Sequence, residues 1–348
     1  MAASPVTAEN PESALFVRLG RYRELVVPTL MAALPEKEPR RYLYDLVREF
    51  VARPGKGLRP ALCIATCAAF GGREEHAVPT AAALELLHNG LLVHDDVEDE
   101  SAYRRSEPTL HTRHGIPIAV NTGDAMNALT LRLLMKNLDV VGARKTWRIL
   151  EEFDHLLLES LEGQALELGW IRDNDCDVKE EDYLRMVLKK TCWYSFIHPV
   201  RLGALIAGDP DLERFDRFGY LTGVAFQIKD DLLNLLGDAR YGKEIDGDLW
   251  EGKRTLMLTH AFGAASAADR SRLEAILQKS RARRLERDVA WMRRLLDETG
   301  SIAFATSAAE ELARAAKAEF EQAYSGAPES DEKTLLRELV AYVVDRKL

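Results

Sequence analysis

The stretch Leu84–Glu100, LELLHNGLLVHDDVEDE, is an apolar helical run that ends in five carboxylates within six positions: Asp95, Asp96, Glu98, Asp99 and Glu100. Acids three and four apart on a helix repel one another directly. At roughly 100° per residue, Asp95 and Asp99 fall about 40° apart on one face, with Asp96 beside them and His88 two turns earlier near its middle. Convergent oxygen donors of this kind suit a hard cation such as magnesium, which would offset the repulsion. The plain alternative is a solvated acidic helix end.

A second cluster weakens that alternative. FQIKDDLLN, residues 226–234, again ends an apolar run in acids, with Asp230, Asp231 and Asn234. Two such clusters can face each other across a helical bundle, where cofactor sites are built from side chains on facing helices. Magnesium is generally held by few carboxylates together with substrate phosphates, so the implied ligand is a di- or triphosphate bridged by metal. Basic residues flank both clusters in Gly- and Pro-marked segments: Lys56 and Arg59 in PGKGLRP, Arg104 and Arg105 in YRRSEPTLH, Lys190 with Thr191 in LKKTCW, and Lys243 and Lys253 in YGKEIDGDLWEGKRT. Any one of them alone reads as a solvated surface charge, but phosphate calls for cationic donors grouped in this way.

Around these motifs the chain is helical throughout. About ten segments carry apolar residues at the three–four spacing of amphipathic or buried helices, and sustained period-two alternation is missing. The tail from Ala268 reads as three more charged, Ala- and Leu-rich helices. Pro and Gly punctuate the runs, but no composition break divides the 348 residues. One all-α domain over 13–348 is expected, after a disordered start at 1–12. A 47% hydrophobic content supplies a large core, while a formal charge of -9, from 56 acids against 47 bases, argues against nucleic acid or an anionic membrane as partner. The N-terminus lacks the basic start and apolar core of a signal peptide, and no run of about 18 apolar residues exists to span a membrane. Cys63, Cys67, Cys176 and Cys192 have no zinc-site spacing and read as small core residues in a reducing compartment. A soluble, cytoplasmic protein is expected.

Taken in order, these motifs resemble the polyprenyl synthetase family, the trans-isoprenyl diphosphate synthases, over roughly residues 50 to 260. PGKGLRP resembles the family's Gly-Gly-Lys-Arg-Leu-Arg-Pro loop; HDDVED is similar to its first aspartate motif, followed by the paired arginines. A Lys-Thr pair, a Phe-Gln before the second aspartate motif and a Gly-Lys loop after it recur in sequence. The resemblance implies an isoprenoid synthase helical bundle around a deep central cavity, a homodimer, and condensation of isopentenyl diphosphate with an allylic diphosphate (dimethylallyl, geranyl or farnesyl). It implies that Asp95, Asp99 and Asp230 ligate magnesium, with Asp96 and Asp231 in support. Lys56, Arg59, His88 and Arg105 would hold isopentenyl diphosphate. Arg104, Lys190, Thr191, Gln227, Lys243 and Lys253 would hold the allylic diphosphate.

Three positions depart from the family pattern. Gly57 stands where an Arg is frequent, removing one donor to isopentenyl diphosphate; Asn234 replaces the last Asp of the second motif; and Glu167 replaces a frequent Asp. In the family, bulk four and five positions before the first Asp limits the product. Here those positions are Leu91 and Gly90: Gly90 is expected to open space and Leu91 partly to close it. Geranylgeranyl diphosphate is the expected product, with a longer chain as the alternative and a farnesyl product disfavoured. A class I terpene cyclase usually carries an Asn-Ser-Glu second motif in place of DDLLN. A head-to-head synthase needs other Asp spacings, and a noncatalytic partner subunit tends to lose its aspartates.

Overall fold

A computed structural model describes residues 11–53, 55–208, 211–237 and 245–345. The chain enters through α1 (Pro11–Ala33) and α2 (Asp45–Ala52), then α3 (Leu58–Ala69) and α4 (Glu74–Glu98). A two-residue hairpin, β1 (Tyr103–Arg104) antiparallel to β2 (Glu107–Pro108), leads into α5 (Leu110–His114), α6 (Ile116–Met135) and α7 (Asn137–Arg172). After α8 (Glu180–Val187) a π-helical segment, Leu188–Ile197, runs into α9 (His198–Ala207), and α10 (Arg214–Leu236) carries the second acid cluster. Then come α11 (Gly247–Glu251), α12 (Leu256–Ala264), α13 (Ala267–Leu277), α14 (Glu286–Glu298), α15 (Ser301–Ala323) and α16 (Asp331–Val344).

The all-α expectation holds, with two local corrections. The tail beyond Ala268 forms four helices, α13 to α16, because Ser280–Arg284 and the turn at Gly300 break what reads as continuous periodicity. The hairpin at 103–108 escapes a reading that needs strands of several residues. Of the expected disordered stretch, residues 1–10 lie outside those described, and α1 begins at Pro11.

Helix α4 explains the architecture. A helix apolar on all sides must be buried on all sides. Ala77, Ala81, Ala82, Ala83, Leu84, Leu86, Leu87 and Val93 are all buried, and α4 packs against α1, α3 and α6. It stops at Glu98, so Asp95, Asp96 and Asp99 occupy its last turn and cap, where the core ends. Helix α10 does the same from the other side, packing on α15 and on the π-helical segment.

That segment is held unusually close. A Cβ on Gly163 of α7 would stand 2.7 Å from the Lys190 Cα, and one on Gly223 of α10 would stand 2.9 Å from the Cys192 Cα. Only glycine admits backbone at that distance. Widened π turns are frequent at functional sites because they re-aim side chains, and here they carry Lys190 and Thr191.

Candidate active site

The two acid clusters meet in one cavity of about 430 Å³. Asp95, Asp99 and Asp230 line it together with Arg59, His88, Arg104, Arg105, Lys190, Thr191, Gln227 and Lys253, and Leu91 lines it further in. Residues distant in sequence are thus brought together by the ends of α4 and α10, the π-helical segment and the stretch before α12.

Charge in this cavity is arranged in pairs. The Asp99 carboxylate accepts from Lys253 Nζ at 2.9 Å. Burial pushes Asp99 up, but Lys253 and Lys190 outweigh it and hold the carboxyl below its ordinary range. Asp95 has no such partner among the described residues: burial raises it, Lys190 opposes and Asp99 adds repulsion. Asp96 is buried behind the cavity, where Arg104 Nε donates to it at 2.7 Å; burial still carries it to about 6 against that pairing. Asp96 therefore fixes Arg104, and Arg104 reaches the cavity. Lys190 is ion-paired to Glu167, the residue standing where the family frequently has Asp. Burial favours the neutral amine, but Glu167 and Asp95 outweigh it and keep Lys190 charged.

Behind Asp230 a relay orders the second cluster. Thr191 Oγ1 donates to Gln227 Oε1, Gln227 Nε2 to Asp231 Oδ1, and the Tyr183 hydroxyl to Asp231 Oδ2, each at 2.8 Å. Burial nevertheless moves Asp231 up to about 6. Asp231 is turned away from the cavity and holds Gln227 and Thr191 in place. The Asn234 amide oxygen accepts from the backbone N–H of Asp248 at 3.0 Å, so this departure ties α10 to α11.

Lys56 falls outside this cavity. It lines an adjoining chamber of about 580 Å³ that shares Arg59, His88, Arg105 and Phe226 with it, and its ammonium donates to the Tyr342 hydroxyl at 3.0 Å. Arg59 donates to the Tyr194 hydroxyl at 2.7 Å and to Ser195 Oγ at 2.8 Å. His88 is pushed well down by burial and by Arg59, Arg105 and Arg104, which leaves a neutral imidazole. Its Nδ1 and the Arg59 Nε are buried without a partner among the described residues, as polar atoms kept for a ligand would be.

Gly90 does not face the cavity. A Cβ there would stand 2.7 Å from Asn127 Oδ1 and 3.2 Å from Met126 Cβ, so the space that a missing side chain should open is filled by α6. Lys243 lies outside the described residues. Sequence reasoning missed Asp248, Glu251 and Arg281. Glu251 pairs with Lys253 at 2.9 Å and with Arg281 at 3.2 Å, and all three line a chamber of about 510 Å³ beyond Lys253. The acids of DGDLWEG were visible beside Lys253; Arg281 carried no signal.

The polyprenyl synthetase family model matches residues 40–293. The chain belongs to the polyprenyl synthetase family. A geranylgeranyl pyrophosphate synthase from Geoglobus acetivorans is 32% identical over 326 residues, which cover 93% of this chain and 96% of that one. Among solved structures, the geranylgeranyl pyrophosphate synthetase of Pyrococcus horikoshii superposes with a TM-score of 0.86 at 30% identity, covering 97% of this chain and 100% of that one. The polyprenyl synthase of Caulobacter crescentus, solved with calcium and isoprenyl diphosphate, gives 0.82 at 26% identity, covering 99% and 100%. This polyprenyl synthetase is a prenyltransferase; its substrates are isoprenyl diphosphates and its chemistry uses a divalent metal. The residues fit such an ion. Among those described, no three or more acidic, imidazole or thiol side chains close round one point, but Asp95, Asp99 and Asp230 offer oxygens to one cavity, and phosphate oxygens complete a shell of that kind. No helix among the described residues is long and apolar enough to cross a membrane.

Proposed function

We propose that this enzyme joins isopentenyl diphosphate head-to-tail to an allylic diphosphate, that its cation is magnesium, and that its product is geranylgeranyl diphosphate. One observation carries the reading: Asp95, Asp99 and Asp230 share a cavity with Lys190, Lys253 and Arg104, while Arg59, His88 and Arg105 link it to a second cationic chamber. Two anionic substrates can thus be held side by side. Asp95, Asp99 and Asp230 would hold magnesium, which would supply charge neutralisation and polarisation to the allylic diphosphate. Lys190, Lys253 and Arg104 stabilise the charge that grows on the departing diphosphate, their own positions fixed by Glu167, Asp99 and Asp96. Arg59, Arg105, Lys56 and the neutral His88 orient isopentenyl diphosphate so that its alkene attacks the allylic cation, and the tertiary cation so formed loses a proton to the departed diphosphate. Leu91, Leu92 and Phe226 line the cavity and keep water from that cation.

The product assignment draws on the named synthases to which the chain is similar and on Leu91 as the residue of the pair that reaches the cavity. A homodimer is part of the same reading. Eight of the fourteen exposed large apolar side chains among the described residues lie on α6 and α7 (Ile116, Val120, Leu131, Met135, Leu138, Trp147, Leu158 and Leu161). Apolar surface concentrated in this way marks an association face. A cytoplasmic location accords with four free cysteines, three of them buried.

The test is incubation with isopentenyl diphosphate, magnesium and, separately, dimethylallyl, geranyl or farnesyl diphosphate, with mass analysis of the dephosphorylated products. A series ending at geranylgeraniol is expected. A longer ladder overturns the product assignment, and no elongation from any primer overturns the condensation itself.

A further inference from the structure

The chamber beside the main cavity carries more positive charge than the motif residues supply. Its wall includes Lys56, Arg59 and Arg105, and from α1 a fourth cation, Arg23, against a single carboxylate, Glu85. Arg23 is half-buried, pairs with no acid among the described residues, and donates only to the Ala52 carbonyl at 3.5 Å, the outer limit of a hydrogen bond. A guanidinium taken partly out of water without a counter-ion is costly unless an anion completes it. The neighbouring charges are felt: after burial, Arg104, Arg59 and Arg23 push the Arg105 guanidinium down, with Glu85 opposing.

The same wall includes Gly57, whose φ of 61° and lack of any heavy atom within 4 Å of a built Cβ leave space beside it. Arg23, Gly55, Gly57 and Glu85 also line one smaller neighbouring pocket, so the guanidinium borders the room that a side chain at 57 would enter. Four cations against one carboxylate leave this wall with an excess of positive charge, which suits an anionic diphosphate.

We propose that Arg23 is a further binding residue for the diphosphate of isopentenyl diphosphate, supplying from α1 the donor that Gly57 lacks. This rests on the substrate reading above. The test compares Arg23→Gln, Arg23→Lys and Arg59→Gln by KM for each substrate, and by calorimetric titration of isopentenyl diphosphate alone. Arg23→Gln should weaken isopentenyl diphosphate about ten-fold in both KM and Kd, the loss of one charge-assisted bond. KM for the allylic substrate and kcat should stay within about two-fold, and Arg23→Lys should recover part of the loss. If Arg59→Gln weakens isopentenyl diphosphate while Arg23→Gln changes only the melting temperature, Arg23 merely caps α2 and the proposal is overturned. If neither variant affects isopentenyl diphosphate, the substrate assignment of the chamber fails instead. Should Arg23→Gln not fold, Arg23→Lys decides: the shorter, single-point cation should weaken isopentenyl diphosphate a few-fold with the allylic KM unchanged, and unchanged binding of isopentenyl diphosphate overturns the proposal.

Discussion

Asp99 and Lys253 stand 154 residues apart in the chain, and their side chains meet at 2.9 Å. The pair joins the end of α4 to the stretch before α12 and keeps Asp99 ionised in a buried place. Removing the lysine leaves only Lys190 and Arg104 to offset the burial of Asp99 and takes one cation from the leaving diphosphate. Lys253→Gln should lower kcat by about 10²–10³, the scale for losing one preorganised electrostatic contact. Asp95→Ala should abolish turnover while far-UV circular dichroism stays unchanged, since Asp95 lies in the last turn of α4. Near-full activity of Asp95→Ala would mean that it is not a ligand.

Product length should respond to Leu91 and not to Gly90. Leu91→Ala enlarges the cavity and should shift the product ladder beyond geranylgeraniol. Gly90→Ala forces a methyl against Asn127 and Met126 of α6, so it should cost about 1–3 kcal/mol in overpacking and leave the ladder in place. Denaturant midpoints and product mass separate the two effects. A fully stable Gly90→Ala variant with shortened products would contradict this division.

Acid should unfold the protein through a network away from the cavity. Glu152 accepts from Arg201 Nη2 at 2.7 Å and from His198 Nδ1 at 2.8 Å. A carboxylate can only accept, so His198 Nδ1 carries the proton and His155 Nδ1 donates to His198 Nε2 at 2.9 Å. Burial alone would raise Glu152, but bonds from His198 and Arg201 outweigh it and hold the carboxyl at about 2. Burial lowers His198, which stays neutral. Both groups bind protons more readily when unfolded, so both contribute stability that falls with pH. The His198 contribution fades below about 6.5, and that of Glu152 is lost between about 4.5 and 2. Glu152→Gln should cost about 3 kcal/mol at pH 7 and flatten the acid limb of a stability–pH curve. A limb of unchanged slope would remove Glu152 from this role.

Association through α6 and α7 should be sensitive to charge on that face. Met135→Glu with Leu158→Glu replaces two side chains that are 53% and 54% exposed. Burial of neither is lost on substitution, so the fold should persist while sedimentation velocity moves from dimer to monomer. A dimer of unchanged affinity would place the interface elsewhere.

The acid clusters, the cationic motifs and the helical class were legible because each is local. A helix wheel needs only consecutive residues, and α4 obeys it closely enough that Asp95, Asp99 and His88 share a cavity. Lys190 and Thr191 were legible as a motif, but not the π turn that aims them. That turn depends on Gly163 and Gly223, which are remote in sequence. Gly90 was misjudged for the same reason: the wheel shows which face a residue lies on, not that Asn127 stands opposite. Arg23 and Arg281 had no visible role, since an isolated arginine on a helix or loop reads as surface until packing supplies its neighbours.

The two glycines flanking Leu188–Ile197 have a further consequence. With no side chain on either flank, the backbone bearing Lys190 rests directly on α7 and α10. Its ammonium is mounted on the frame of the bundle rather than on a loop, and it inherits its position from the crossing of those two helices. A substitution far from any polar residue that alters this crossing would retune phosphate geometry with every motif intact. Divergence in selectivity within such a scaffold can therefore begin in its apolar packing.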